Sequence, residues 1–480
     1  FQKRSIIPVA AHFFPSDFLP RPSFFYRLPV RNACQLSITG RDRFSRARYM
    51  SVSLRIHLTV LHRATVTLVL AALLAVAAAG PAWAQRASAS DRTTPESRKA
   101  PSDGDFRFGP LRLAPEARLE SEWRDTASAA GTHHDASGLT STRLGIKGRI
   151  GRRLAFEVSG DPTDTSPWRD VKMSYSLPGS LVATGGQFKV PFGLDAHRNA
   201  FERPLVYQSR LGDAYGLGRD QGVSLEWRTW RKRLTVEAGS FVHSAGPAAE
   251  DRPSLGFRTG TTTVRVAASP FGRSRGPLAS LAIGVGLTRG AISEAPSTLT
   301  LQTTANEDLT RPTYWANGTR RRLGLDLEAQ PGPLTLAAEL IHIEDTRRGQ
   351  GNGDEDLRPL GGDGWSFEGA WLLTGESSRK FKGPRRSVFA GGPGALALVA
   401  RVEQARLGHP GVAWLDASSP RATAPAMSQL HAVTAGVNWY PVGKSRLQFN
   451  LIHERLLGAT TAAARAPRQT TAVIRFQLYL

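Results

Sequence analysis

From Leu111 to the end of the chain, short segments in which apolar and polar residues alternate recur sixteen times. They are 111–124, 139–150, 153–160, 168–177, 181–190, 222–229, 232–242, 258–268, 278–288, 321–329, 333–343, 364–375, 395–406, 430–439, 445–455 and 469–480. Strict alternation has the two-residue period of a strand with unlike faces. Most segments run 8–12 residues, close to the length a tilted strand needs to cross a bilayer. Leu144, Ile146 and Ile150 oppose Arg143, Lys147 and Arg149; Ile474, Phe476 and Leu478 oppose Arg475 and Gln477.

The links between segments sharpen the expectation. Tight links carrying Gly151-Arg152, Pro178-Gly179, Trp230-Arg231, Pro331-Gly332 and Pro441-Val442-Gly443 alternate with long ones at 125–138, 191–221, 243–257, 289–320, 344–363 and 407–429. Short turns at one end and long polar loops at the other are the pattern of a transmembrane β-barrel. A soluble β-sandwich also alternates, but has no reason to keep its long loops at one end. The last segment runs to Leu480 as an amphipathic strand with Tyr479 beside its end, as outer-membrane barrels do. The reading is therefore an all-β, antiparallel transmembrane barrel of about sixteen strands. Segment 376–394 is long where a turn belongs: either the twelfth strand continues, or the turn is elaborated.

Domain organisation follows. Residues 1–49 precede the first Met, Met50, and carry no periodicity; they read as an upstream segment outside the native protein, or else a genuine extension. Residues 50–84 read as a signal peptide, with Arg55, His57, His62 and Arg63 before the apolar run 64–79 and a small-x-small site at Ala82-Trp83-Ala84. Cleavage is expected between Ala84 and Gln85. Residues 85–104 read as a flexible periplasmic leader, and 105–480 as the barrel.

Charge narrows the partners. Beyond residue 84 there are 51 Lys/Arg against 38 Asp/Glu, a net of about +13, and no cysteine. An exported chain without cysteine is not a disulfide scaffold. A basic balance suits anions, lipopolysaccharide or nucleic acid, and export removes nucleic acid. No stretch there is apolar for 18 residues, so no helix spans a membrane. The mildly negative mean hydropathy, −0.27, fits a barrel whose every second residue faces water.

No catalytic constellation, metal site or cofactor site stands out. His133-His134 reads as a solvated loop pair, His342 and Glu344 as a structural pair at a strand end, and the glycine-rich 284–290 as strand. In a pore the chemistry lies in the charges that line it. With the apolar face toward lipid, Arg143, Lys147, Arg149, Lys172, Lys189 and Arg475 face the lumen among the acids Glu157, Asp326, Glu328 and Glu339. The link 191–221 adds Arg198, Arg203 and Arg210 with Phe192, Phe201 and Tyr207. It reads either as an inward loop that filters anions or as an external loop on lipopolysaccharide phosphates.

Gly186-Gln187-Phe188-Lys189-Val190-Pro191-Phe192-Gly193, followed by Leu194-Asp195, is a strand end that breaks at Pro191 and Gly193. This stretch closely resembles the strand-to-loop junction of the phosphate-selective porin O/P family. RLGIKGRIGRRLAFEVSGD (143–161), AWLLTGESSRKF (370–381) and GVNWYPVGKSRLQFNLIH (436–453) extend the resemblance over nearly the whole barrel. The resemblance implies a sixteen-stranded porin of a bacterial outer membrane, usually a homotrimer, passing phosphate or polyphosphate, with the loop after the fifth strand folded inward. A channel for passive diffusion of small anions is thus expected, with outer-membrane lipid and lipopolysaccharide as surroundings. The alternatives are a barrel enzyme of lipase or protease type and an adhesive or structural barrel with a plugged lumen. On the first reading Lys189 faces the lumen at the top of the fifth strand.

Overall fold

The structure, a computed structural model, describes residues 106–479 apart from 129–132, 165–166, 230, 232, 243–259, 273–275, 298, 300, 305–307, 311–313, 409–420, 422–427 and 458–467. The segments 1–49, 50–84 and 85–104 lie outside the described residues, as does Leu480.

Sixteen antiparallel strands form the wall. They are β1 (Leu111–Ser128), β2 (His133–Ile150), β3 (Leu154–Gly160), β4 (Trp168–Leu177), β5 (Leu181–Lys189), β6 (Arg219–Thr229), β7 (Leu234–Phe241) and β8 (Thr261–Ala268). The second half comprises β9 (Ala282–Pro296), β10 (Trp315–Ala329), β11 (Leu334–Arg347), β12 (Leu357–Leu372), β13 (Ala395–Leu407), β14 (Ser428–Tyr440), β15 (Ser445–Leu457) and β16 (Arg468–Tyr479). Each strand pairs with its sequence neighbours, and β16 pairs with β1 through contacts such as Arg475↔Glu122, so the sheet closes. Closure satisfies every strand edge, which an open sheet in lipid cannot do. The sixteen expected segments each correspond to one of these strands, in order.

The faces are inverted relative to a soluble protein. Leu144, Ile146, Met173, Val223, Leu225, Leu287, Leu325, Leu340, Val402, Val433, Phe449, Leu451 and Phe476 are exposed on the outside, whereas Arg401, Glu403, Asn438, Gln448, Asn450, Glu454 and Gln477 are buried inside. A soluble sandwich would bury the first set; here that set is the lipid-facing belt.

Three of the expected loops are largely strand. Residues 125–138 extend β1 and β2 to 18 residues each, and 289–320 and 344–363 contribute to β9, β10, β11 and β12. Above the apolar belt the alternation no longer separates lipid from water, but backbone N–H and C=O groups still need partners, and continuing the ladder supplies them. His133 and His134 accordingly sit exposed on β2, His133 Nδ1 3.7 Å from Asp125, and not in a loop. Segment 376–394 is an elaborated turn: β12 ends at Leu372, and two single-turn 3₁₀ segments, Ser378–Lys380 and Val388–Ala390, follow.

Candidate functional site

The link between β5 and β6, residues 190–218, folds into the barrel. Gly193 makes this possible in two ways. It adopts φ 74°, and a β-carbon there would stand 2.9 Å from Glu339 Oε1, which accepts the Leu194 N–H at 2.6 Å. Beyond it, Phe192, Leu211 and Tyr215 pack on Ile341, Ile343, Leu407, Leu430 and Leu456, apolar residues of β11 and β13–β15 that point inward. These strands break the polar-inside rule where the loop covers them.

Glycines of the wall give the loop room. The Phe192 ring lies over Gly286 of β9 and Gly324 of β10, where added β-carbons would stand 3.1 and 3.3 Å from it. The short helix α1 (Arg210–Tyr215) is capped by Ser209, whose Oγ accepts the Gly212 N–H at 3.0 Å. It rests against Gly362 and Gly364 of β12. Glycine spacing on the expected strands was the available signal for this contact, and sequence reading passed over it.

Polar side chains of the wall bind the loop's backbone throughout its length. Arg401 donates to the carbonyls of Tyr207 and Gln208, each at 3.0 Å; Asn450 accepts from Val206 N at 2.8 Å; Asn438 donates to Pro204 O at 2.7 Å. Arg322 donates to Tyr215 O at 2.9 Å, Arg446 to Arg203 O at 2.8 Å, and Thr263 to Pro191 O at 3.0 Å. The loop is thereby held against β8–β16. Arg118 (to Asn199 Oδ1, 2.6 Å) and Glu122 (accepting from the Tyr207 hydroxyl) tie it to β1 as well. Space remains on both sides of it, toward β1–β7 and, as a cavity of about 510 Å³ beside Arg198, Glu328 and Arg446, toward β10–β15.

The expected site residues divide into two groups. Arg198 bonds Glu368 at 2.8 Å and lies 3.3 Å from Glu328. Arg203 donates to Asp195 O and to Gln208; Arg210 reaches Thr304 at 3.2 Å and Glu454 at 3.4 Å. Arg475 is 2.5 Å from Glu122 and bonds Val206 O at 3.0 Å. These four fasten the loop, and Arg203, Arg210 and Arg475 also border the cavity at the long-loop end. Of the others, Arg143, Lys147, Arg149 and Lys172 line the lumen wall, while Lys189 both borders the lumen and holds loop backbone. Arg143 pairs with Asp170; Lys147 sits 2.9 Å from Glu116, and Lys172 3.3 Å from Glu157. Arg149 is exposed on the wall of the short-turn end beside Arg112. The Lys189 amine donates to the carbonyls of Ala196 (2.9 Å) and Arg198 inside the barrel.

At the top of β5 apolar and polar residues do not separate onto opposite faces. Phe188 is on the inward parity of Gly186 and Thr184, which pair with the inward Lys172 and Ser174. It is buried edge-on against Phe241, ring centroids 5.3 Å apart. Both Phe188 and Lys189 therefore serve the interior, the first as packing for the loop.

Three cavities lie on the β1–β7 side of the lumen. At the long-loop end, a cavity of about 550 Å³ carries Arg124, Arg203, Arg210 and Arg475 against Glu122 and Asp213. Beside the loop, one of about 310 Å³ carries Arg118, Arg143, Lys147, Lys172, Lys189 and Arg219 against Glu157, Asp170, Glu226 and Glu237. At the short-turn end, about 360 Å³ is lined by Arg112, Lys147, Arg149 and Lys172 with Glu157. Cations exceed carboxylates in each. Sequence reading missed Arg118, Arg124 and Arg219. The polar parity of β1 could have found the first two, whereas Arg219 shares its parity with the lipid-facing Val223 and Leu225 and is placed by its bond to Asp170.

On the loop, burial alone would raise the Asp195 carboxyl's pKa, but Arg203 and Arg401 hold it below its usual value. His197 is open to the lumen's water yet enclosed by the wall; that enclosure, then Arg265 and Lys189, pushes its pKa down to about 4. Among the described residues no His/Cys/Asp/Glu group is arranged to hold a metal ion.

A closed barrel with an apolar belt outside, a charged lumen and an inward loop beside an aqueous passage is a porin-type channel. Residues 129–480 match the family described as phosphate-selective porin O and P, and the chain belongs to that family. It is an outer-membrane porin, a channel for passive diffusion of small solutes. No curated protein matches the chain. Its fold is similar to that of OmpT, an outer membrane protein of Vibrio cholerae, at 13% identity and TM-score 0.50, covering 78% of this chain and 99% of that one. An anion-selective porin from Comamonas acidovorans is similar at 14% identity and TM-score 0.47, covering 77% and 100%. Salmonella typhi OmpF is similar at 10% identity and TM-score 0.47, covering 78% and 100%.

Proposed function

We propose that this porin favours small anions, phosphate among them. The observation that carries the reading is the excess of Arg and Lys over carboxylates in all three lumenal regions beside β1–β7. A narrow, low-dielectric passage of one sign concentrates counter-charged solutes. Lys and Arg N–H groups replace part of the hydration an anion loses on entry. Arg143, Lys147, Arg149, Lys172 and Lys189 are the proposed lining of the wall; Arg203, Arg210 and Arg475 both position the loop and border the long-loop-end cavity, and Arg198 positions the loop. The test is the reversal potential of the purified porin in a planar bilayer under a KCl gradient. Anion preference is the expected result, partly blocked by added phosphate, and cation preference overturns the reading.

The same reading extends to assembly as a homotrimer. The outer wall carries an apolar groove of about 690 Å³ between β1 and β4, lined by Leu144, Ile146, Val158 and Trp168. A trimer form is named for the Vibrio cholerae OmpT structure. Native mass spectrometry in mild detergent should show three copies; a monomer alone would overturn it.

A further inference from the structure

The turn between β12 and β13 is the longest of the short-end links, and the channel does not explain it. It takes 22 residues, 373–394, where the flanking turns 330–333 and 441–444 take four. It lies along the rim as a strap: the Ser378 N–H donates to Gly332 O at 2.7 Å on one side, and Val388 N–H to Pro441 O at 3.0 Å on the other. Phe381 packs edge-on to Tyr440 at 4.8 Å. The strap is therefore built and held at both neighbours.

Its outer chemistry has one sign. Arg379, Lys380, Lys382, Arg385 and Arg386 are all exposed. Arg379 and Lys382 border the lumenal cavity beside Arg198 and Glu328; Arg385, which also donates to Gly375 O at 2.7 Å, and Arg386 lie outside its lining. The single carboxylate, Glu376, is buried, accepting from Thr374 Oγ1 and from the Arg385 N–H at 3.2 Å. It faces none of the solvent those bases face. Beside them stands Phe389, 92% exposed, next to the exposed Val388. Four residues on, Pro393 O accepts the indole N–H of Trp439 at 2.9 Å. Trp439 belongs to the outward face of β14 with Val433, and Trp371 and Leu373 are exposed nearby at the end of β12. The strap thus joins the lipid-facing wall at its short-turn margin, the depth of an aromatic girdle.

We infer that the strap is a docking surface for anionic phospholipid of the periplasmic leaflet, with Phe389 and Val388 in the interface and Arg385 and Arg386 on phosphate headgroups. An exposed aromatic beside arginines, at the level of tryptophans already facing lipid, suits a surface that is apolar on one side and phosphate-bearing on the other. A cell-wall glycan or soluble protein would find the charges but has no use for an aromatic at the edge of the hydrocarbon belt.

The experiment uses the full-length porin in proteoliposomes, with a nitroxide at Phe389→Cys in a Cys34→Ser background. Spin-labelled phosphatidylglycerol and phosphatidylcholine report lipid selectivity on unlabelled porin. The label at 389 should be more accessible to oxygen than to an aqueous nickel chelate. Phosphatidylglycerol should be preferred, and Arg385→Gln with Arg386→Gln should lower that preference by about fivefold per residue. Millimolar inorganic phosphate should leave it unchanged, which separates a headgroup site from a free-phosphate site. A nickel-accessible label overturns the proposal and points to a periplasmic partner; so does equal binding of the two lipids. Phe389→Ser, with every charge retained, should reduce the preference without altering conductance, and keeps the test decisive if the arginine variant folds poorly.

Discussion

The Phe192 ring occupies a notch in the barrel wall that exists because residue 286 is glycine; a β-carbon there would stand 3.1 Å from the ring's Cδ2. This contact fixes how far the constriction loop sits from the opposite wall. Gly286→Val should push the ring toward the passage or detach the loop. Overpacking of this kind costs about 1–3 kcal/mol. Single-channel conductance should change while selectivity holds, and the thermal midpoint should fall. Unchanged conductance would show that the notch does not set loop position.

The loop's charged fastenings lead to a different result from the lining cations. Arg401, buried between Glu403 (3.0 Å), Glu368 (3.7 Å) and Asp195 (3.9 Å), also holds two loop carbonyls. Arg401→Met leaves three buried carboxylates short of a partner, a loss of about 3–5 kcal/mol. Heat-modifiability on gels should show a weakened barrel, and bilayer recordings a noisier, wider channel. Arg198→Glu, set against Glu368 and Glu328, should behave alike. If either variant keeps wild-type conductance and stability, the latch has no structural weight.

For the lining, Lys147→Glu with Lys172→Glu reverses two charges at positions that contact the wall's acids but none of the loop's backbone. The anion-over-cation permeability ratio should fall by roughly an order of magnitude, since counter-ion focusing follows the local charge. Stability should fall, since the new carboxylates face Glu116 and Glu157, but by less than for Arg198→Glu, because both amines are partly exposed to lumen water. A ratio unmoved by this pair would place selectivity elsewhere.

Much of this architecture was legible because lipid imposes a two-residue period over ten or so residues, and Leu144, Ile146 and Ile150 display it unaided. What was not legible depended on partners far off in sequence. Phe188 turns inward because Phe241 and Phe192 await it, which alternation within β5 cannot reveal. Arg198 looked like a filter residue until Glu368, 170 residues away, took it. The strand extensions at 125–138 and 344–363 were hidden for another reason: polar residues outside the membrane carry no facial contrast, so hydrogen-bonded ladders there leave no pattern.

The loop should also loosen in acid, in two stages. His197 has its pKa pushed to about 4 in the docked loop, against the usual 6.5. A released imidazole therefore takes up a proton that the docked one refuses, and docking weakens as pH falls from 6.5 toward 4. Asp195 has a depressed pKa, so its pairing with Arg203 and Arg401 is fully present above 3.8 and is lost only as pH falls through its lower docked value. Channel noise from loop motion should accordingly rise between pH 6.5 and 4, then more steeply below. His197→Gln should abolish the first stage and leave the second, read as open-channel current variance from pH 7.5 to 3.5. Persistence of the first stage in that variant would assign the proton to another group.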